Sequence, residues 1–163
     1  MIRQLLGCVP QDALKILDLN LRQDFYSREL IADSLKMASW LKINEEELLV
    51  LRQMFGLSGV ETATLEQMKA AFQLDGIMYT KGPEGSYILY RENVSFEPAL
   101  RVEVVDTVGA GDSFTAAFLA AHLCGMPLSN AHALAVEVSA YVCTRSGAMP
   151  EIPEALKMKI GLF

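Results

Sequence analysis

Short apolar runs that alternate with a helical segment are the feature of this sequence that most restricts its fold. Runs at 15–19, 40–43 and 76–80 have the length and the continuous apolar character of buried strands. A helical pattern over 27–37 separates the first two. A strand, a helix and a second strand in this order form a βαβ unit, whose strands lie parallel in one sheet. The sequence therefore predicts an α/β fold with a mainly parallel sheet flanked by helices.

The middle of the chain changes to a pattern of antiparallel hairpins. Glycines mark a turn at 82–85, alternating residues follow over 86–91, and a polar break stands at 92–93. This order predicts hairpin strands that extend the sheet. Residues 101–105 predict one more strand, which leads directly into the glycine-rich segment DTVGAGD.

Two long apolar helices are predicted after this segment. The first is broken at 125–127, and the second runs from Ser129, a suitable N-cap, to about Arg145. Its predicted end is the pair 146–147, where a left-handed glycine would cap the helix. A short helix is expected after Pro153. Both long helices are too short and too often interrupted by polar residues to span a bilayer, so they are interpreted as buried helices and no membrane partner is expected.

Composition and charge exclude several classes of protein. The chain has 163 residues, with 14 Lys and Arg against 20 Asp and Glu, for a net charge of −6. A nucleic-acid partner is not expected, because binding a polyanion needs clustered cations. The apolar fraction of 52% is large enough to bury a sizeable core and argues against a disordered chain. Since no repeat or linker divides the sequence, 1–163 is expected to form one folding unit.

Cysteines and histidines show no metal-ligand spacing. The chain has three cysteines, Cys8, Cys124 and Cys143. They are odd in number, far apart and in apolar stretches, which is typical of proteins in a reducing compartment. Because the N-terminal segment also lacks an export signal, a cytoplasmic location is expected. His122 and His132 have no partner at metal-ligand spacing, and Trp40 and the eight methionines are expected in the core.

The segment DTVGAGD predicts an anion-binding turn. A strand, a glycine-rich turn and a helix aim free backbone N–H groups and the helix dipole at one point, and Gly109, Ala110 and Gly111 occupy this turn. Phe114 stands where a dinucleotide fingerprint needs its third glycine, and GxxxxGK[ST] is absent from the sequence. Asp112 lies just inside the helix, where a carboxylate can take a proton from a hydroxyl. A plain N-cap aspartate is the alternative.

The run VDTVGAGDSF resembles the C-terminal signature of the PfkB, or ribokinase-like, family of carbohydrate kinases. Further segments agree with the family in the same order: DLNLR at 18–22, LKINEEE at 41–47, TKGPEGSYIL at 80–89 and TRSGA at 144–148. The resemblance implies a ribokinase-like fold of which this chain is the C-terminal portion only, with the lid absent. DLNLR is most similar to this element in fructokinases and 2-keto-3-deoxygluconate kinases.

The resemblance implies ATP-dependent phosphorylation of a sugar hydroxyl. Asp112 would be the general base and would contact the substrate, while the backbone of Gly109, Ala110 and Gly111 stabilises charge on the transferred phosphoryl group. The implied substrate is a fructose-like sugar or a 2-keto-3-deoxy sugar acid. A catalytically silent nucleotide-binding or interaction remnant of a sugar kinase is the alternative.

The resemblance also implies residues for Mg²⁺ and for ATP. Asn44 and Glu47 match the NxxE element, which organises Mg²⁺ and the nucleotide phosphates through water. A solvated helix start is the alternative for this acidic run. The turn that covers the nucleotide phosphates is matched by Thr80, Lys81, Gly82 and Gly85, and Val136 falls in the adenine pocket. A plain hairpin turn and an ordinary amphipathic helix are the alternatives. The Lys81 side chain either faces solvent or adds a charge near the phosphates.

A K⁺ site and two substrate contacts complete the implied residues. The positions that match the family's monovalent-cation site are Asp106, Val108, Val142, Arg145 and Gly147. Asp106 could equally cap its loop. Asn20 and Arg22 would point into the active site, where the planar fork of Arg22 could contact substrate or nucleotide. An ordinary surface arginine is the alternative. Because the resemblance covers only half of a family member, we expect a dimer or a missing N-terminal half that covers the exposed sheet edge.

Overall fold

A computed structural model describes residues 2–10, 12–23 and 25–160 of the chain. The described helices are α1 (Ile2–Leu6), α2 (Arg28–Met37), α3 (Glu45–Phe55), α4 (Glu61–Phe72), α5 (Ala110–Leu123), α6 (Leu128–Cys143) and α7 (Glu154–Lys159). The described strands are β1 (Ile16–Asp18), β2 (Trp40–Asn44), β3 (Gly76–Thr80), β4 (Ser86–Tyr90) and β5 (Asn93–Glu97). No helix in these ranges is long and apolar enough to cross a membrane.

The strands take the order β1-β2-β3-β4-β5 in the sheet. β1 pairs parallel with β2, with Ile16 opposite Trp40, and β4 pairs antiparallel with β5, with Ser86 opposite Glu97. The predicted βαβ unit and the predicted hairpin are therefore both confirmed. The chain divides into two compact units, Met1–Met78 and Tyr79–Phe163. The single domain expected over 1–163 stays a prediction.

In the unit Met1–Met78, α2 begins where expected because the side chain of Ser27 accepts a hydrogen bond from the Leu30 N–H (3.2 Å). Trp40 is buried in the core, as predicted. Its ring lies directly against Gly76, where a Cβ atom would stand about 2.5 Å from the ring carbons. Because no side chain fits between the ring and the strand, Gly76 is needed for this packing.

In the unit Tyr79–Phe163, α5 and α6 pack against each other, and α6 also contacts β4 and β5. The core of this unit contains Ile88, Leu89, Phe118 and Ala135. α5 ends at Leu123, before the predicted break, and α7 follows Pro153 as expected.

The predicted strand at 101–105 is wrong, because these residues form an exposed loop. No strand in the described part of the chain pairs with it, and the Val105 N–H instead donates to the carbonyl of Cys143 at the end of α6 (2.8 Å). Alternating valines suit a strand only when a neighbouring strand supplies the ladder of hydrogen bonds.

The predicted ends of α6 are also wrong. The helix begins at Leu128 with Pro127 as N-cap, and Ser129 bonds to the neighbouring Asn130 side chain instead of capping (3.4 Å). The proline side chain has no oxygen that could accept a backbone N–H, so the helix starts without a side-chain cap. The C-cap is Thr144 with φ −83°, and the left-handed glycine, Gly147, lies in the loop beyond it.

Some residues expected in apolar surroundings are exposed. Cys8 and Cys124 are exposed, because Cys8 lies in the turn after a short helix and Cys124 at the C-cap of α5. Met149 and Met158 are exposed on the surface, whereas Met68 and Met78 are buried as predicted.

Candidate functional site

A cavity of about 630 Å³ lies in the unit Tyr79–Phe163. Its walls are the turn 80–86, the loop 99–107, the first turns of α5 and one face of α6. Several of the predicted site residues line it: Thr80, Gly82, Gly85, Ala110, Gly111 and Val136. Three segments that are far apart in sequence thus line one cavity, and their assignment to a nucleotide site stays a prediction.

The turn before α5 has the conformation that an anion site needs. Gly109 has φ 80° and is the N-cap, without a side-chain hydrogen bond. The Ala110 N–H donates to the Thr107 carbonyl (3.2 Å), whereas the N–H groups of Gly111 and Asp112 have no acceptor among the described residues. Free N–H groups at a helix N-terminus attract an anion together with the helix dipole.

Asp112 lies in the first turn of α5, and its side chain is exposed. It makes no hydrogen bond or ion pair with the described residues. Because Gly109 is the N-cap, the alternative of an N-cap aspartate does not apply. The carboxylate is therefore available to accept a proton from a bound group.

The turn 80–86 is shaped by its glycines. Gly85 has φ 121°, and a Cβ atom there would strike the carbonyl oxygen of Glu97. The Lys81 N–H donates to the Gly85 carbonyl (2.8 Å), which closes the turn. The Lys81 ammonium pairs with the Glu84 carboxylate at 2.8 Å, and only 13% of the Lys81 side chain is exposed. Its charge is therefore held by Glu84 on the turn instead of extending into solvent.

Asp106 joins the two loops of the predicted K⁺ site. Its carboxylate accepts the N–H of Val108 and the N–H of Gly147, both at 3.0 Å. These backbone hydrogen bonds lower the pKa of the Asp106 carboxyl. The Arg145 N–H donates to the Val142 carbonyl (3.0 Å). The alternative of a loop-capping aspartate matches this geometry, and the K⁺ site stays a prediction.

Cys143 and Ser139 line the cavity and were not predicted as site residues. Burial, together with the negative charge of Asp106, raises the pKa of the Cys143 thiol. Ser139 donates from its hydroxyl to the Ala110 carbonyl (3.0 Å), which ties α6 to the first turn of α5. Ser139 lies three residues after Val136, and this spacing on a helix could have identified it.

Four predicted residues lie in the unit Met1–Met78. Asn44 and Glu47 form a reciprocal capping box at the start of α3. The Glu47 side chain is buried, which excludes a solvated helix start for this residue, whereas Glu46 is exposed. Asn20 and Arg22 are exposed, and Asn20 has φ 46°.

No group of three or more His, Cys, Asp and Glu side chains in the described ranges could hold a metal ion. The oxygen atoms of Asn44 and Glu47 are of the kind that Mg²⁺ prefers. However, each accepts a backbone N–H inside the unit, since Asn44 Oδ1 accepts from Glu47 and the Glu47 oxygens accept from Leu21 and Asn44. These oxygens therefore fit contact to Mg²⁺ through water better than direct ligation, and the Mg²⁺ role stays a prediction.

Known proteins resemble this chain in both sequence and structure. The model of the pfkB family carbohydrate kinases matches residues 3–155. A fructokinase from Klebsiella pneumoniae is 34% identical over 151 residues, which cover 83% of this chain and 47% of that protein. The crystal structure of ribokinase from Thermotoga maritima matches this chain with a TM-score of 0.76 at 23% identity. The match covers 97% of this chain and 52% of the ribokinase chain.

A third relative was solved with ligands. This relative is aminoimidazole riboside kinase from Salmonella enterica, in complex with aminoimidazole riboside and an ATP analog. It matches with a TM-score of 0.65 at 28% identity, over 89% of this chain and 51% of the kinase chain. These likenesses confirm the expected ribokinase-like α/β fold. The chain spans about half the length of the curated relatives it matches.

Proposed function

Because the chain belongs to the pfkB family of carbohydrate kinases, we propose that it carries the nucleotide-binding and base-bearing part of an ATP-dependent sugar kinase. The observation that carries this proposal is the turn at 109–112, in which Ala110 and Gly111 line the cavity, the N–H groups of Gly111 and Asp112 are free of acceptors among the described residues, and the Asp112 side chain is exposed. The acceptor is a fructose-like sugar or a 2-keto-3-deoxy sugar acid. The reducing cytoplasm, where ATP is available, is the compartment that this proposal implies.

One relative supports the choice of the acceptor, and another supports the choice of ATP. The first is a fructokinase by name, and the second was solved with a riboside and an ATP analog. The cavity of about 630 Å³ is of the size that holds a small-molecule ligand. Its apolar wall, which includes Val136 and Phe114, suits a flat base, while the open end of α5 suits phosphates.

Asp112 acts as the general base in this proposal. It accepts the proton of the sugar hydroxyl as the oxygen forms a bond to the γ-phosphorus of ATP and the bond from phosphorus to the leaving ADP oxygen breaks. The N–H groups of Gly111 and Asp112 stabilise the negative charge on the transferred group. Mg²⁺, when bound, would neutralise charge on the phosphates. Asn44 and Glu47 would hold it through water.

Replacement of Asp112 by Asn tests this role. We expect Asp112→Asn to bind ATP with unchanged affinity and to lose about 100- to 10,000-fold in turnover, because only proton transfer is removed. The measurements are calorimetric ATP titration and phosphorylation of fructose, 2-keto-3-deoxygluconate and ribose. Both use this chain and a version extended upstream of Met1 in its gene.

Glu103→Gln is the matched control, since Glu103 is an exposed carboxylate on the loop 99–107 and does not line the cavity. It should leave binding and turnover unchanged. Turnover that survives in Asp112→Asn at the level of the control would contradict the assignment of the base.

A second candidate is a nucleotide-binding or interaction role without catalysis. The observation that favours it is that the chain spans about half the length of its relatives. ATP binding without turnover in either version of the chain would support a silent nucleotide-binding protein. If ATP does not bind at all, only an interaction role is left.

A further inference from the structure

Three hydrogen bonds tie the segment 18–22 to the segment 42–47 within the unit Met1–Met78. The Leu19 N–H donates to the Lys42 carbonyl (3.1 Å), and the Lys42 ammonium pairs with Asp18 (3.3 Å). The third bond lies beyond the end of β1, where the Leu21 N–H donates to Glu47 Oε1 (3.0 Å). A side chain on α3 therefore holds the backbone of the loop that follows β1.

The carboxylate of Glu47 is held in place from its other side. Its Oε2 accepts the Asn44 N–H (2.9 Å), and Asn44 Oδ1 accepts the Glu47 N–H in return (2.9 Å). Glu47 is only 5% exposed, and a buried carboxylate needs such donors, since removal from water is otherwise unfavourable. The capping box thus fixes the side chain with its second oxygen directed at Leu21.

This second bond explains why the residue is Glu. A capping box alone accepts Glu or Gln at this position, because only one oxygen is used. Here both oxygens accept an N–H, so a Gln would turn its NH₂ group toward one of the two donors.

The anchored residue lies between the two predicted substrate residues. Asn20 and Arg22 flank Leu21, and both side chains are exposed. Asn20 and Gln23 have φ values of 46° and 47°, a region that L side chains rarely adopt. Such a backbone persists where its surroundings hold it, and the bond to Glu47 is one of these constraints.

We propose that Glu47 is a positioning residue for the loop 19–23, which it anchors at Leu21 so that Asn20 and Arg22 are presented to the sugar. This role is exerted through hydrogen bonds inside the chain and needs no metal ion. The identity of the ligand rests on the proposed function, but the anchoring does not.

Amide hydrogen exchange of the chain, followed by NMR in a buffer with a metal chelator, tests the anchoring. In Glu47→Gln the Leu21 amide should exchange about tenfold faster or more, because it then faces either the NH₂ group or the neutral oxygen of Gln, and the charge-assisted hydrogen bond is lost in both orientations. Glu46→Gln, a change at the exposed neighbour, should leave it unchanged. An unchanged Leu21 rate in Glu47→Gln, or protection in the wild type that appears only with Mg²⁺, would overturn the proposal.

The amides of Leu41 and Ile43 in β2 report whether Glu47→Gln has unfolded as a whole. If the variant has unfolded, the exchange rates of the wild-type protein still test the anchoring. The Leu21 amide of the wild type should exchange more slowly than the Arg22 amide, which has no acceptor among the described residues. Equal rates would overturn the anchoring.

Calorimetric titration with fructose, 2-keto-3-deoxygluconate and ribose in the same chelating buffer, without nucleotide, tests the consequence for substrate. Glu47→Gln should weaken binding of the sugar about tenfold, because the loop that presents Asn20 and Arg22 is released, whereas Glu46→Gln should leave it unchanged. Unchanged affinity in Glu47→Gln would overturn the positioning role, since Glu47 holds no metal ion under these conditions. If the wild-type chain binds none of the three sugars, the proposed substrate class fails for this chain alone, while the exchange rates still decide the anchoring.

Discussion

Gly109 cannot be replaced by a larger residue without a clash, for a reason that the sequence did not show. The motif predicted only a turn that aims backbone N–H groups at an anion. In the structure a Cβ atom at Gly109 would also strike the carbonyl oxygen of Ala148, and the residue has φ 80°. The glycine therefore serves the packing of the turn against the loop after α6 as well as any ligand.

Gly109→Ala tests this packing at the scale of one residue. Gly125→Ala is its matched control, because Gly125 has nearly the same φ, 82°, and a Cβ atom there would meet no other atom within 4 Å. The control should lower the free energy of unfolding by about 1 kcal/mol through backbone strain alone. Gly109→Ala should lower it by about 1–3 kcal/mol more through the clash. Urea unfolding measures both, and equal losses would contradict the clash.

At the scale of elements, His132 on α6 joins this helix to the hairpin of β4 and β5. Its Nε2 atom is 2.8 Å from the Ser86 hydroxyl and its Nδ1 atom is 2.9 Å from the Ser95 hydroxyl. The ring packs edge-on against Phe114, which lines the cavity. The histidine thus has a structural role, which accords with the lack of metal-ligand spacing in the sequence.

The burial of His132 predicts a pH dependence of stability. Burial lowers the pKa of His132 from 6.5 to about 4, because the charged ring is unfavourable in the core. Between these values the unfolded chain binds more protons than the folded chain, so stability falls as pH falls from 6.5 to 4. The loss from this residue is about 3 kcal/mol, the free energy of a shift of this size.

Urea unfolding at pH values from 7 to 4 measures this loss. His132→Gln should remove most of the dependence of the unfolding free energy on pH. His122→Gln should remove little of it, because burial and Arg91 lower the pKa of the half-buried His122 less strongly than burial lowers that of His132. The same pH dependence of the unfolding free energy in the wild type and in His132→Gln would contradict the assignment of this loss to His132.

Asp106 affects stability at lower pH than His132. Its pKa is lowered from 3.8 in the folded chain, so the stability that its ionised carboxylate contributes is lost only as pH falls below that value.

At the scale of the whole molecule, exposed apolar residues on an edge strand predict association. β5 is the last strand in the sheet order, and Val94 and Phe96 on it are about half exposed. An edge strand with exposed apolar side chains favours pairing with another chain. We expect the chain alone to form dimers or larger species. Sedimentation equilibrium over a range of concentrations measures this, and a monomer at every concentration would contradict it.

Much of the local structure and of the candidate site was predictable from sequence. Strand β3 and helix α2 were predicted with nearly their observed bounds, because their apolar patterns and the Ser27 cap act over a few residues. The loop at 101–105 was mistaken for a strand, because a strand depends on a partner that the segment itself does not encode.

The sequence by itself determined the alternation of strands and helices, the glycine turn before α5 and the resemblance that indicates a sugar kinase. These depend on local spacing and residue type. Only the tertiary structure decided that Glu47 anchors Leu21, that Asp106 joins two loops and that Ser139 bonds to the turn at Ala110. Each of these is a contact between segments distant in the chain, and such contacts form only when packing of the core brings the segments together.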